Sequence, residues 1–219
     1  MRRPRHRLAW EYHGGKNPPP PVGEGLGVRG VMSLRVIAGR AKGRKLKSVE
    51  GDTTRPITDR AKESLFNILG ADVINSSWWD LFGGTGAVGI EALSRGASFV
   101  RFTDLNREPI ETIKYNLSHC KLESLAEVRR ADAFTHLAAA PDRTFEYIYI
   151  APPQFKDMWV KAVELVDENI GWLADDGWVI AQIAPREYRT SAPAIENLEE
   201  FDQRKYGSTL LVFYRKKEG

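Results

Sequence analysis

The chain has 219 residues, 42% hydrophobic and 28% charged, enough length and apolar content for one or two cores, which excludes a disulfide-stapled peptide and a wholly disordered chain. Its formal charge of +3 averages unlike parts: residues 1–31 carry +4, 32–62 carry +6 and 63–219 carry −7, a basic front on an acidic body that points to an anionic partner, nucleic acid being the usual one. A single cysteine, Cys120, excludes an intrachain disulfide and a Cys-based metal site, and fits a reducing cytoplasm.

Residues 1–31 are rich in Arg, Pro and Gly without the apolar stretch of a secretory signal, and are expected to be a disordered tail or to precede the true start at Met32; an Arg-rich targeting segment is the alternative. Leu34 to Ala38 reads as a short strand, and the Gly-punctuated stretch Gly39 to Lys47 as the rest of a hairpin. Thr58 caps a predicted helix in which Ala61, Leu65, Ile68 and Leu69 form one apolar stripe, ending at Gly70. Residues 32–70 are thus expected to be a basic extension of hairpin and helix, and 71–219 the main domain.

In the main domain short apolar runs alternate with helical stretches. Strands are predicted over Trp78–Phe82, Ser98–Thr103, Glu127–Arg130, Phe145–Ile150 and Trp178–Ile183. Helices are predicted over Ala87–Arg95, Glu108–Cys120 and about Asp157–Ile170. This alternation implies an α/β fold with a doubly wound, mostly parallel sheet. The runs Leu198–Lys205 and Ser208–Tyr214, separated only by Tyr206-Gly207, read as a closing antiparallel hairpin. Tyr147, Tyr149, Trp78 and Trp79 read as core packing. No run approaches the roughly 18 apolar residues of a membrane span, and the four histidines show no metal spacing. Neither membrane nor metal is expected, and the protein is expected to be a monomer.

Gly84-Thr85-Gly86-Ala87-Val88-Gly89 matches G-x-G-x-x-G, follows a predicted strand, opens a predicted helix, and is followed by Asp104 at the end of the next strand. Two further acids narrow the ligand. Asp80 stands just before the glycines, where it would repel a pyrophosphate and suit a cation. Asp132, with Ala133, follows the third strand, where it suits an adenine amino group. Three acids around a glycine loop fit a cationic, phosphate-free adenosyl ligand such as S-adenosylmethionine better than a nicotinamide dinucleotide. Each acid also has a plain reading, as a turn former or a helix cap.

The stretch Asp80-Leu81-Phe82-Gly83-Gly84-Thr85-Gly86 resembles the D-x-F-x-G-[ST]-G loop of class I methyltransferases. Residues Arg35 to Leu46 and Thr54 to Leu69 resemble the opening of bacterial 16S ribosomal RNA guanine-N2 methyltransferases. The resemblance covers essentially Leu34 to Tyr214. It implies a Rossmann-like sheet of seven strands, S-adenosylmethionine as cofactor, with Asp80, Phe82, Gly84, Gly86, Asp104, Leu105, Asp132 and Ala133 around it, and ribosomal RNA or the small ribosomal subunit as partner.

In amino-methyltransferases that act on planar nitrogens, which this strand end resembles, the motif is [DN]-P-P-[FYW], in which a side-chain oxygen and a backbone carbonyl accept the two N–H bonds of a poorly nucleophilic amine while the aromatic stacks on the base. Here it reads Ala151-Pro152-Pro153-Gln154-Phe155, keeping the prolines but not the Asp or Asn, nor the aromatic in its usual place. Three readings follow. The reaction is retained, with the Pro152 carbonyl and the Gln154 amide as acceptors and Phe155 or Tyr149 stacking; the acceptor has changed; or catalysis is lost and the fold persists as a non-catalytic RNA-binding or assembly protein. Arg35, Arg40, Lys42, Arg44, Lys45, Lys47, Arg55 and Arg60 fall within 26 residues that hold three acids, a patch suited to RNA phosphates; a solvated surface hairpin is the bland alternative.

Overall fold

The structure, a computed structural model, describes residues 34–49, 57–154 and 157–218. The expected tail of residues 1–31 lies outside the described residues, as do Arg55 and Phe155. Residues Leu34–Gly219 cluster as one compact unit.

The strands are β1 (Ser77–Asp80), β2 (Phe99–Asp104), β3 (Ala126–Arg130), β4 (Phe145–Ile150), β5 (Leu173–Ile183), β6 (Leu198–Tyr206) and β7 (Thr209–Lys216). They form one seven-stranded sheet of order β3-β2-β1-β4-β5-β7-β6. β1 to β5 run parallel, and β7 is antiparallel to both β5 and β6, so the expected doubly wound sheet with a closing hairpin is present. The helices are α1 (Asp59–Leu69), α2 (Ala87–Ser94), α3 (Arg107–Cys120), α4 (Ala133–Ala138), α5 (Met158–Glu168) and α6 (Pro185–Thr190). From β1 the chain winds outward through β2 to β3, then returns to place β4 on the other side of β1. The carboxyl ends of β1 and β4 therefore flank the topological switch point, where open α/β sheets bind ligands.

Successive strand residues face opposite sides of a sheet, which is why the adjacent tryptophans part company. Trp78 joins a core with α1 and α2, packing 5.6 Å from the Phe66 ring, and Trp79 joins the core beneath α4 and α5, 4.7 Å from Trp172. Both are fully buried, as is Tyr147; Tyr149 is 2% exposed. Each indole N–H has a partner, Ser76 Oγ at 2.8 Å and Thr103 Oγ1 at 2.9 Å.

The first segment differs from expectation in form. The strand Leu34 to Ala38 reduces to one antiparallel bridge, Arg35 to Lys45, around a turn at residues 40–43. The reason is competition from α2: the Ile37 and Ala38 amides donate to the Glu91 carboxylate at 2.7 and 2.9 Å, and the Ala41 amide to Ser94 Oγ at 2.9 Å. Gly39, at φ +79°, comes so near α2 that a Cβ would stand 1.9 Å from the Ser94 carbonyl oxygen. Val36, Ala41 and Leu46 enter the same core as Leu65, Phe66 and Trp78. Thr58 caps α1 as expected, its hydroxyl accepting from the Ala61 amide at 3.2 Å.

Elsewhere the boundaries shift. β5 begins at Leu173 rather than Trp178, because an irregularity sets Phe145 beside Leu173 and Tyr147 beside Trp178; the intervening Asp175-Asp176-Gly177 reads as a turn in sequence. α5 runs Met158–Glu168, shorter than the expected stretch to Ile170. The closing hairpin turns at Gly207-Ser208, one residue later than expected, with Tyr206 paired to Thr209 and Gly207 at φ +59°. α4 and α6, six residues each, are too short to show a helical period.

Candidate functional site

A cleft opens at the carboxyl ends of β1 and β4. Asp80, Phe82, Gly83, Gly84, Thr85 and Val88 line it from the β1 side; Tyr149, Ala151, Pro152 and Gln154 line it from the β4 side. Gln182 of β5 and Ile57, just before α1, complete it. Six of the residues assigned to cofactor or catalysis in sequence thus share one cavity, Asp80, Phe82, Gly84, Ala151, Pro152 and Gln154, together with Tyr149. Gly86 and Pro153 are in the same loops but not in that lining.

The glycine loop is built for close approach. Gly84 and Gly86 take φ of +52° and +74°, a region that a Cβ disfavours. At Gly89 a Cβ would stand 2.4 Å from the Phe102 ring, so only glycine lets α2 lie this close to β2. Two acids hold the loop. Asp104 Oδ2 accepts from the Gly84 amide at 3.0 Å, and its Oδ1 from the Asn106 amide at 2.9 Å. Asp80, only 2% exposed, accepts from the Gly89 amide at 3.3 Å. Burial pushes the Asp80 carboxyl up to about 8, against the lowering effect of the Gly89 amide, with the Asp104 charge adding to the rise. A cation placed beside Asp80 would relieve that desolvation.

The remaining predicted cofactor residues follow along the same sheet edge. Leu105, just after β2, is 58% exposed. Asp132 caps α4, accepting from the Thr135 amide at 2.8 Å and its hydroxyl at 2.9 Å; these bonds hold its carboxyl below the usual range. Ala133 opens the helix and is buried.

Sequence reasoning passed over several residues here. The Asn116 side chain donates to the Lys47 and Thr85 carbonyls, both at 3.0 Å, and accepts from the Lys47 amide at 2.7 Å, tying the basic segment to the glycine loop through α3. The Tyr149 hydroxyl donates to Gln182 Oε1; burial, then the nearby Asp80 charge, raises that phenol well above its ordinary range. Its ring lies in the core, as the sequence reading expected, which speaks against Tyr149 as the alternative to Phe155 for stacking. Gln182 carries one visible signal: a lone amide inside the apolar run from Val179 to Ala184.

Of the basic residues, Arg35, Arg40, Lys42, Lys45, Lys47 and Arg60 are exposed and Arg44 half-buried. Three also hold the fold: Arg35 pairs with Asp59 at 3.0 Å, Arg40 donates to the Leu93 carbonyl at 3.1 Å, and Arg44 donates to the His119 carbonyl. Lys47 lies over the Tyr115 ring, 5.9 Å from its centroid. Among the described residues no group of three or more His, Cys, Asp or Glu could hold a metal ion, and no helix is long and apolar enough to cross a membrane.

Residues 34–215 match the model of a family described as "Conserved hypothetical protein 95". The "Putative rRNA methyltransferase YlbH" of Bacillus subtilis is 37% identical over 187 residues, 84% of this chain and 100% of that protein. The ribosomal RNA small subunit methyltransferase D of Escherichia coli is 30% identical, over 75% of this chain and 82% of that protein. The chain belongs to this rRNA methyltransferase family. Among solved structures, "Putative methyltransferase yhhF from Escherichia coli" superposes with a TM-score of 0.74 at 28% identity, covering 84% of this chain and 98% of that one. The sheet is accordingly the Rossmann-like sheet of class I methyltransferases. In this family member the cleft joins a glycine loop flanked by a buried acid to a Pro-Pro strand end with alanine at position 151.

Proposed function

We propose that the protein uses S-adenosylmethionine to methylate N2 of a guanine in 16S ribosomal RNA. The observation that carries this reading is the shared cleft, in which Asp80 and the glycine loop face Ala151, Pro152 and Gln154. The donor set suits the cofactor: a buried carboxyl for an α-ammonium, a carboxylate at the end of β2 for ribose hydroxyls, exposed Leu105 as an apolar cover and Asp132 for an adenine amine. A diphosphate would meet the Asp80 carboxyl instead. When bound, S-adenosylmethionine supplies the methyl group: the acceptor nitrogen's lone pair forms the N–C bond as the S–C bond breaks onto sulfur, and nitrogen's proton leaves to water.

The chain's own part is positioning. Gly84 and Gly86 admit the ligand close to the backbone, and Asp104 fixes the loop through the Gly84 amide. In this reading the Pro152 carbonyl and the Gln154 amide oxygen accept the N–H bonds of the target amine and aim its lone pair at the methyl. Phe155 is assigned to stack on the base. The exposed bases of residues 35–60 hold the RNA backbone. We read the enzyme as a cytoplasmic monomer working without a metal, with residues 32–70 as its RNA-binding extension.

One observation favours a second reading, a non-catalytic RNA-binding assembly protein: Ala151 carries no acceptor oxygen. Mass spectrometry of 16S rRNA nucleosides from cells with and without the gene separates the two. Loss of one N2-methylguanosine on deletion is expected; an unchanged nucleoside set would favour the assembly protein.

A further inference from the structure

Gln182 is the one polar residue in the apolar second half of β5, next to its last residue, and the proposed function does not use it. β4 and β5 pair in parallel with Ile150 beside Ala181, so one step further along Gln182 stands beside Ala151. Side chains alternate along a strand, and Tyr149, Ala151, Ile180 and Gln182 therefore project to one face. Tyr149 and Ile180 are buried in the core of that face, and Ala151 packs against it. Both Ala151 and Gln182 line the cleft. Adjacent strands lie about 4.8 Å apart, a span that a Gln side chain crosses and an Ala methyl leaves open.

The amide is also held. The Tyr149 hydroxyl donates to Gln182 Oε1, and Tyr149 is itself 2% exposed and in register with Asp80 on β1. A carbonyl oxygen has two lone pairs, so the bond from Tyr149 orients Oε1 and leaves it able to accept a second N–H. Gln154 differs in position: it sits in a turn beyond the strand, where the [DN]-P-P-[FYW] motif has its aromatic.

We infer that Gln182, in place of Gln154, supplies from the neighbouring strand the acceptor oxygen that Ala151 lacks, Oε1 taking one N–H of the target amine while the Pro152 carbonyl takes the other. This rests on the methyltransferase reading above. A neutral amide takes no proton at working pH, so the contribution of Gln182 is orientation of the amine and polarisation of its N–H, with the proton still leaving to water.

The test is methyl transfer from S-adenosylmethionine to unmodified 16S rRNA, free or in small subunits. The full-length proteins are the wild type, Gln182→Ala, Gln182→Met, Gln154→Ala, Ala151→Asn and the Ala151→Asn/Gln182→Ala double variant. S-adenosylhomocysteine affinity is measured on each by calorimetry. Both Gln182 variants are expected to lose at least about tenfold in kcat, roughly 1.4 kcal/mol of barrier, with S-adenosylhomocysteine affinity unchanged. Gln154→Ala loses less, and Ala151→Asn restores turnover in the Gln182→Ala background. Undiminished turnover in the Gln182 variants, loss of S-adenosylhomocysteine binding in both, or no rescue by Ala151→Asn would overturn the assignment. A wild type inert toward rRNA in either form would instead remove the methyltransferase reading, and this inference with it.

Discussion

Asp80 shows how a single carboxyl can be placed where solvent alone would not leave it charged. It lies at the end of β1, 2% exposed, with the Gly89 amide 3.3 Å away, and burial pushes its carboxyl up to about 8. The ordinary value is about 4, so the folded state binds a proton across this window that the unfolded chain has released. The stability associated with Asp80 is therefore full below pH about 4 and lost as pH rises through about 8. A cationic ligand reverses the balance. Binding S-adenosylhomocysteine, whose α-ammonium would meet Asp80, is expected to expel close to one proton at pH 7 and almost none above pH about 9. Calorimetry in buffers of different ionisation enthalpy reads this directly, and Asp80→Asn should remove the proton release and weaken binding at least about tenfold. Proton release that persists in Asp80→Asn would assign the titration to another group.

At the scale of elements, α2 is the joint of the molecule. Its Glu91 is fully buried; it accepts from the Ile37 and Ala38 amides, pairs with Arg95 at 2.7 Å, and faces the equally buried Lys62 of α1 at 3.6 Å. Burial lowers the Lys62 ammonium's pKa, opposed chiefly by the Glu91 charge. One carboxylate thus joins the first segment, α1 and α2, beside the glycine loop. Removing it leaves two amides without their acceptor and a buried ammonium without this counter-charge, bonded still to the Arg35 carbonyl at 2.6 Å. Glu91→Leu is expected to cost about 3–5 kcal/mol in denaturant unfolding. Lys62→Met should cost distinctly less, because Glu91 keeps its two amide donors and Arg95. Equal losses would show that the ion pair alone, rather than the amide bonds, makes Glu91 important.

For the whole molecule, the charge average conceals the working surface. Residues 32–62 carry +6 and residues 63–219 carry −7, and Lys42, Lys45, Lys47 and Arg60 are exposed on the basic side. Local charge, rather than net charge, governs counterion release from RNA. Affinity for 16S rRNA fragments is expected to fall steeply between low and physiological salt. The triple variant Lys42→Ala/Lys45→Ala/Lys47→Ala should flatten the log–log salt slope by roughly 2 to 3. Fluorescence anisotropy over a salt series measures both, and an unaltered slope would place the RNA elsewhere. Arg35, Arg40 and Arg44 are poorer probes, because their bonds to Asp59, Leu93 and His119 also hold the segment in place.

The alternation of apolar runs, the glycine loop and the acids at successive strand ends are local patterns, and they were enough to read the sheet, its closing hairpin and the two halves of the cleft. Short elements escaped: α4 and α6 hold less than two turns, and the Asp175-Asp176-Gly177 irregularity of β5 has the composition of a turn. What depends on partners distant in sequence was not legible at all. Lys62 looks like one more RNA-facing base until α2 places Glu91 over it, and Asn116 looks like an ordinary helix residue until Lys47 and Thr85 reach it. Gln182 and Ala151 are 31 positions apart in the chain, and only the parallel pairing of β4 with β5 makes them neighbours. The sequence by itself determined which chemistries the strand ends carry, because those depend on residue types in order. The tertiary structure alone decided which of them face one another and which charges are buried, because register and burial are properties of strands and helices brought together across the chain.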